Sequence, residues 1–166
     1  MYRRIPALAL AVLAGAFATN TEMDRATLRG LKAVKVVVDP LGEELQNAGL
    51  KTEQLRLHMQ RKLETSGITV STDAIEFLGL RVAGVHAKGG TFSFQKSPYA
   101  VAITLNVYQN VSLVRDPKVQ TTTDTWGTDS VVLAPPKQLE EALSGTLDLL
   151  LDQFVSAYHS ANPTGF

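Results

Sequence analysis

Tyr99–Arg115, YAVAITLNVYQNVSLVR, is the stretch from which the fold is read. Tyr99, Val101, Ile103, Leu105, Val107, Val111 and Leu113 share one parity of a period-2 repeat. The other parity holds Ala100, Ala102, Thr104, Asn106, Tyr108, Asn110 and Ser112, all small or polar apart from one tyrosine. Alternation of this kind predicts an extended strand with one buried face. An antiparallel sheet covered on one side is the arrangement that suits it. Burying Tyr99, Val101, Ile103, Leu105 and Val107 would contribute roughly 1.5 to 3 kcal/mol each, with an upper bound on the order of 10 kcal/mol for the set. That is comparable to the net stability of a whole domain, so the strand is expected at the centre of the sheet.

Downstream, Asp116-Pro117-Lys118 is expected to turn the chain back, and Val119–Trp126, rich in threonine, to pair with the long strand. Proline cannot take the positive φ of a two-residue type I′ loop, which points to a loop of three or four residues. Three residues would set Trp126 across from Tyr108 on the polar face, and four would set it opposite Gln109 on the core side. Both registers are open at this point. Val131-Val132-Leu133 is a further apolar run, stopped by Pro135-Pro136. Leu139, Leu143, Leu147, Leu150, Phe154 and Tyr158 then recur every three or four residues, an amphipathic helix ended by Asn162-Pro163.

Upstream, Leu78–Ala87 reads as a strand in which Gly79 and Gly84 mark a bulge or a close approach. Lys88-Gly89-Gly90 supplies a turn, with Phe92 and Phe94 on one face beyond it. Pro98 predicts a bend or an edge position. Leu55, Met59 and Leu63 make the apolar stripe of a helix that Thr52 would cap and Ser66-Gly67 would close. Ile68–Thr72 gives a short strand. Ala33–Val38, AVKVVV, gives a first strand, ended by Asp39-Pro40. Leu41–Leu50 reads as a loop with one helical turn at most, and Thr19–Arg29 as a loose polar lead-in. The order predicts an α+β two-layer sandwich, in which a mostly antiparallel sheet of about five strands carries two helices on one face. The first strand could pair in parallel across the helix crossover, which would make the sheet mixed.

Arg3 and Arg4 precede the apolar run Ile5–Phe17, and Ala16-Phe17-Ala18 fits a small-x-small cleavage site. Residues 1–18 therefore read as a secretory signal peptide, and 19–166 as a single domain that is periplasmic or secreted. The apolar run is shorter than the roughly 20 residues of a membrane span, so no stable membrane insertion is expected after cleavage. Leu13-Ala14-Gly15 resembles the start of a lipobox, but Ala16 stands where a lipidated cysteine would be. The chain has no cysteine, so its stability is expected to come from packing alone. Sixteen basic and sixteen acidic side chains cancel, which gives no large field to attract nucleic acid.

Few residues suggest chemistry. His58, His86 and His159 are well separated and make no zinc-ligand spacing. Asp148 and Asp152, with Glu140 and Glu141, lie opposite the leucine stripe, where solvation is a plainer reading than acid/base work. Asp124 and Asp129 lack the density of a calcium loop. Gly89-Gly90 leads to a strand and so lacks the helix N-terminus of a phosphate site. No catalytic, cofactor or metal residue is assigned, and the chain is read as a non-enzyme. The distal hairpin carries Tyr108, Arg115 and Trp126, residue types that dominate protein-binding hot spots, and these three are the candidate partner-binding residues. The alternative is a small-ligand pocket for a lipid, glycan or metabolite, between sheet and helices near Phe92, Phe94 and Trp126.

Gly49-Leu50, Thr52–Leu63, Gly67-Ile68, Val111–Arg115, Thr122–Trp126, Gln153-Phe154, Tyr158 and Asn162-Pro163 together resemble the pattern of a family of uncharacterised bacterial extracytoplasmic proteins. More distantly, the element order is similar to small envelope domains such as the lipopolysaccharide-assembly lipoprotein and the N-terminal domain of TolB. The resemblance implies an envelope protein, while the absent lipidation cysteine departs from the lipoproteins. Export, the missing catalytic motifs and the long strand point separately to a module that binds another envelope protein through the hairpin surface or an exposed sheet edge.

Overall fold

In the computed structural model, which describes residues 21–86 and 98–163, five strands form one mixed sheet in the order β2-β1-β3-β4-β5. The strands are β1 (Ala33–Val38), β2 (Thr69–Val70), β3 (Phe77–His86), β4 (Tyr99–Leu113) and β5 (Asp116–Ala134). β1 is parallel to both β2 and β3, and β3-β4-β5 is an antiparallel meander. The expected α+β class and the parallel crossover both hold. The signal-peptide reading of 1–18, the turn at Lys88-Gly89-Gly90, and Phe92 and Phe94 lie outside the described residues.

The predicted alternation of β4 is realised: Val101, Ile103, Leu105 and Val107 are fully buried. They meet Leu78, Leu80 and Val82 of β3 and Val132 of β5 under helices α3 (Thr52–Thr65) and α4 (Leu139–Ala161). α3 presents Leu55, Met59 and Leu63 to this core, and α4 presents its leucine stripe. α3 begins one residue earlier than expected. Lys51 is the N-cap and makes no side-chain cap bond, so Thr52 is the first helical residue rather than the cap. At its C-terminus Gly67, at φ +77°, lets its own N–H and that of Ile68 reach back to the carbonyls of Glu64 and Leu63, each at 3.0 Å. This paired closure needs a left-handed residue, which glycine supplies without strain.

Two segments differ from expectation, and a third is as foreseen. Thr21–Arg29 is not loose: Thr21 and Asp24 form a reciprocal capping box that starts helix α1 (Glu22–Ala26), and Leu28 beyond it is fully buried. α2 (Glu43–Asn47) is the single helical turn foreseen in 41–50, and it sets Leu45 against Gly84. The β4–β5 turn is Val114–Arg115 rather than Asp116–Lys118, since Asp116 already pairs with Leu113. No described non-glycine residue has positive φ, so this two-residue turn is not type I′. The chain accommodates it by a register shift that leaves Pro117, Lys118 and Val119 bulged. β5 then runs unbroken through two segments that look separate in the sequence.

Trp126 sits across from Val107 on the core side, at 2% exposure. One extra residue, Thr125, between the pairs Tyr108↔Asp124 and Val107↔Trp126 makes the parity change. The indole lies against Phe154, with ring centroids 5.3 Å apart.

Candidate functional site

β3 begins at the pair Phe77↔Tyr108, and beyond that pair Gln109–Leu113 of β4 has, among the described residues, only β5 as a strand neighbour. The outer part of the hairpin is therefore a two-stranded arm, and no side chain from Tyr108 to Thr125 is fully buried. Its base is tied to α1: Gln109 Nε2 donates to the carbonyl of Thr27 at 3.1 Å, and Thr27 Oγ1 donates to that of Thr125 at 3.2 Å. Because β5 is the last strand of the sheet, its outer edge from Lys118 to Asp124 has no strand beside it among the described residues. An uncovered edge presents main-chain donors and acceptors in alternation, the elements of strand addition.

The three residues suggested by the sequence are not brought together. Arg115 is exposed at the tip, next to Val114, which is 99% exposed. Tyr108 is half-buried at the base of the arm on the open face of the sheet, stacked on Phe77 at 4.7 Å with 13° between the rings. Its ring lies 2.9 Å from where a Cβ on Gly79 would be, which explains the glycine as a close approach rather than a bulge. Trp126 is interior, and its surroundings account for it as a packing residue. The neighbouring residues of the resemblance pattern are structural in the same sense. Gln153 accepts from the Thr128 hydroxyl at 2.6 Å, and Tyr158 donates to the carbonyl of Leu31 at 2.9 Å. Asn162 clamps the α1–β1 connection: its side-chain amide accepts from Gly30 N–H at 2.7 Å and donates to the Leu28 carbonyl at 2.8 Å.

Sequence reasoning missed a groove between α3 and α4. It has a volume of about 530 Å³, a floor of Leu55, Leu143 and Leu147, and a rim of Lys51, Arg61 and Glu140. Two side-chain contacts bridge the helices here: His58 Nε2 to Asp148 Oδ1 and Lys62 Nζ to Asp152 Oδ1, both at 2.7 Å. The hydrogen bond to Asp152 raises the Lys62 ammonium above its usual range. Asp148 and Asp152 are thus paired with α3 rather than simply solvated. A signal was present in the sequence: a basic pair four residues apart on one helix matches an acidic pair four apart on the other. Among the described residues there is no cluster of three or more potential metal ligands. Trp126 borders an open depression of about 620 Å³ beside Met23, Asn106 and Asp129, rather than a pocket beneath α3 and α4.

On the open face a shallow depression of about 280 Å³ is lined by Phe77, Arg81, Thr104, Asn106 and Tyr108. Arg81 Nε donates to Asp39 at 2.9 Å, the main reason its guanidinium is held even further toward the charged form. Farther along this face Val85, Val131 and Leu133 are more than half exposed.

No protein-family model and no curated protein sequence matches the chain. Among solved structures it is similar to the PelC dodecamer from Paraburkholderia phytofirmans, at 13% identity and a TM-score of 0.42, over 76% of this chain and 86% of that one. It is also similar to a minor lipoprotein from Acinetobacter baumannii, at 13% identity and a TM-score of 0.37, over 78% of this chain and 93% of that one. At such distances neither likeness carries function. No helix among the described residues is long and apolar enough to cross a membrane.

Proposed function

We propose that this chain is a non-enzymatic exported protein of the bacterial envelope, periplasmic or secreted, that acts as a protein-binding or assembly module through the β4–β5 arm. The observation that carries the reading is the arm itself: the two strands that anchor the core continue past Phe77, the first residue of β3, and among the described residues the arm is tied at its base by α1. An isolated two-stranded ribbon is marginal in water, so the extension is explained better by a partner than by stability. Arg115 at the tip and the β5 edge are its recognition elements, while Trp126 serves the core. The export reading rests on residues 1–18, and the absence of a catalytic constellation in the sequence supports the non-enzymatic one.

Affinity capture from the source organism's envelope fraction after mild crosslinking tests this. A reproducible partner that is lost with Arg115→Ala, or with the arm shortened at Val114–Arg115 and the fold intact, is expected. Equal capture by all variants would remove the arm from binding. The α3–α4 groove favours a second reading, a small amphiphilic ligand held over Leu55, Leu143 and Leu147. A thermal-shift screen against lipids, glycans and metabolites reads it directly, because a ligand of the folded state raises Tm.

A further inference from the structure

The regular part of the β5 edge is short and bounded. Pro117–Val119 is bulged at the distal end, and Thr125 is the extra residue at the proximal end, with its carbonyl already accepting from Thr27. Between them lies Gln120-Thr121-Thr122-Thr123-Asp124, which is its own complement when reversed. An antiparallel copy centred on Thr122 sets Gln120 opposite Asp124, Thr121 opposite Thr123, and Thr122 opposite itself. Two identical edges related by a two-fold axis must pair in a register centred on a residue, because side chains directly opposite each other share a face. Among those registers, only the one centred on Thr122 uses all five regular residues. Moving the centre to Gln120 would set Asp124 against the other copy's Asp116, a like-charge clash.

We propose that the arm's partner is a second copy of this chain, joined by antiparallel pairing of the two β5 edges over Gln120–Asp124. The proposal rests on the reading of the arm as a docking element and names its occupant. Charge complementarity supports it. Asp124 of one copy faces the side-chain amide of Gln120, and the first cation beyond that pair on the other copy is Lys118, in the bulge where the ladder ends; this happens twice across the axis. Lys118 and Asp124 are both exposed, and neither has a charged side-chain partner among the described residues. Threonine directly opposite threonine is a favourable cross-strand pair. Assembly stops at two copies, since the other edge of the sheet is β2, only two residues long. Pro117 and its bulge, which blunt the edge beyond the ladder, confine pairing to this register.

The absence of native cysteine makes the test clean. In the full chain, Thr122→Cys places two thiols across the axis. Opposed Cα atoms there are about 4.5 to 5.5 Å apart, within disulfide reach. Thr122→Cys is expected to crosslink under mild oxidation to a covalent dimer. Thr121→Cys and Gln120→Cys, whose counterparts lie diagonal or farther, are expected to crosslink much more slowly. In sedimentation experiments Lys118→Glu and Asp124→Lys should each weaken self-association by about fivefold or more, and an equimolar mixture of the two should restore it. Slow crosslinking of Thr122→Cys, or no rescue in the mixture, would overturn the proposal. If the charge variants then still lose an envelope protein in the capture experiment, the arm binds a different partner and only the self-pairing falls. If they lose nothing, the docking reading falls with it.

Discussion

The inner and outer halves of the β4–β5 hairpin are made of the same two strands, yet they belong to different environments. In the inner half, Val101, Ile103, Leu105 and Val107 pair with Val132, Ser130, Thr128 and Trp126 on a sheet backed by α4, with β3 alongside. In the outer half, Val111 and Leu113 keep the apolar parity but are only half-buried, beyond Phe77 where β3 begins. Alternation alone therefore does not make a core. What distinguishes the halves is where β3 begins and where α4 lies, so substitutions should separate them cleanly.

The largest contrast is between two of the residues that the sequence groups as one site. Trp126→Ala should cost about 3 to 5 kcal/mol, because it opens a large cavity against Phe154. Arg115→Ala should leave stability within about 0.5 kcal/mol of wild type. Urea denaturation of both variants checks the pair, and a mild effect at Trp126 would break the division. Next in size, Gly84→Ala should destabilise by about 1 to 3 kcal/mol. Its Cβ would come within 2.8 Å of Leu45 and 3.2 Å of Val101 in the packed inner half. Asn162→Ala should fall in the same range of about 1 to 3 kcal/mol, since it orphans the groups that hold Leu28 and Gly30 to α4.

Trp126→Phe sharpens the comparison. The indole Nε1 is buried and has no hydrogen-bond partner among the described residues. Removing that donor offsets part of the lost volume, so this variant should be far milder than Trp126→Ala by the same denaturation assay. The smallest effect is expected at Glu53→Gln, on the exposed side of α3. The hydrogen bond from Arg56 holds the Glu53 carboxyl below its usual range. A lowered folded-state value means that its contribution is present above the ordinary carboxylate range and is lost as pH falls through the folded value. Wild type and variant should therefore converge in thermal stability toward acid pH.

Much of the fold is legible in the sequence because it is carried by periodicity. The stripe Leu55, Met59, Leu63 and the alternation of Tyr99–Val107 each admit one physical solution, and Ser66-Gly67 ends α3 as glycine's left-handed freedom allows. The position of Trp126 stays open in the sequence because it depends on a single extra residue, Thr125, whose bulge no local preference announces. The turn is misplaced for a related reason. Pro117 looks like a turn residue, but an edge strand tolerates proline because its outward N–H is not needed. α1 escapes notice even though Thr21-x-x-Asp24 is a capping box, a signal outweighed by the polar composition around it. The candidate site is legible only as a region. Whether Tyr108, Arg115 and Trp126 share a surface is set by tertiary register, which places one at the base, one at the tip and one inside.

Amide hydrogen exchange along β4 and β5, followed over a range of protein concentrations, tests the division most directly. Slow exchange is expected for Val101–Val107 and Trp126–Val132 at every concentration. Gln120–Asp124 should exchange fast in dilute solution and slow down as concentration rises and the edges pair. Uniform slow exchange through the whole hairpin in dilute solution, or an arm whose exchange ignores concentration, would contradict it.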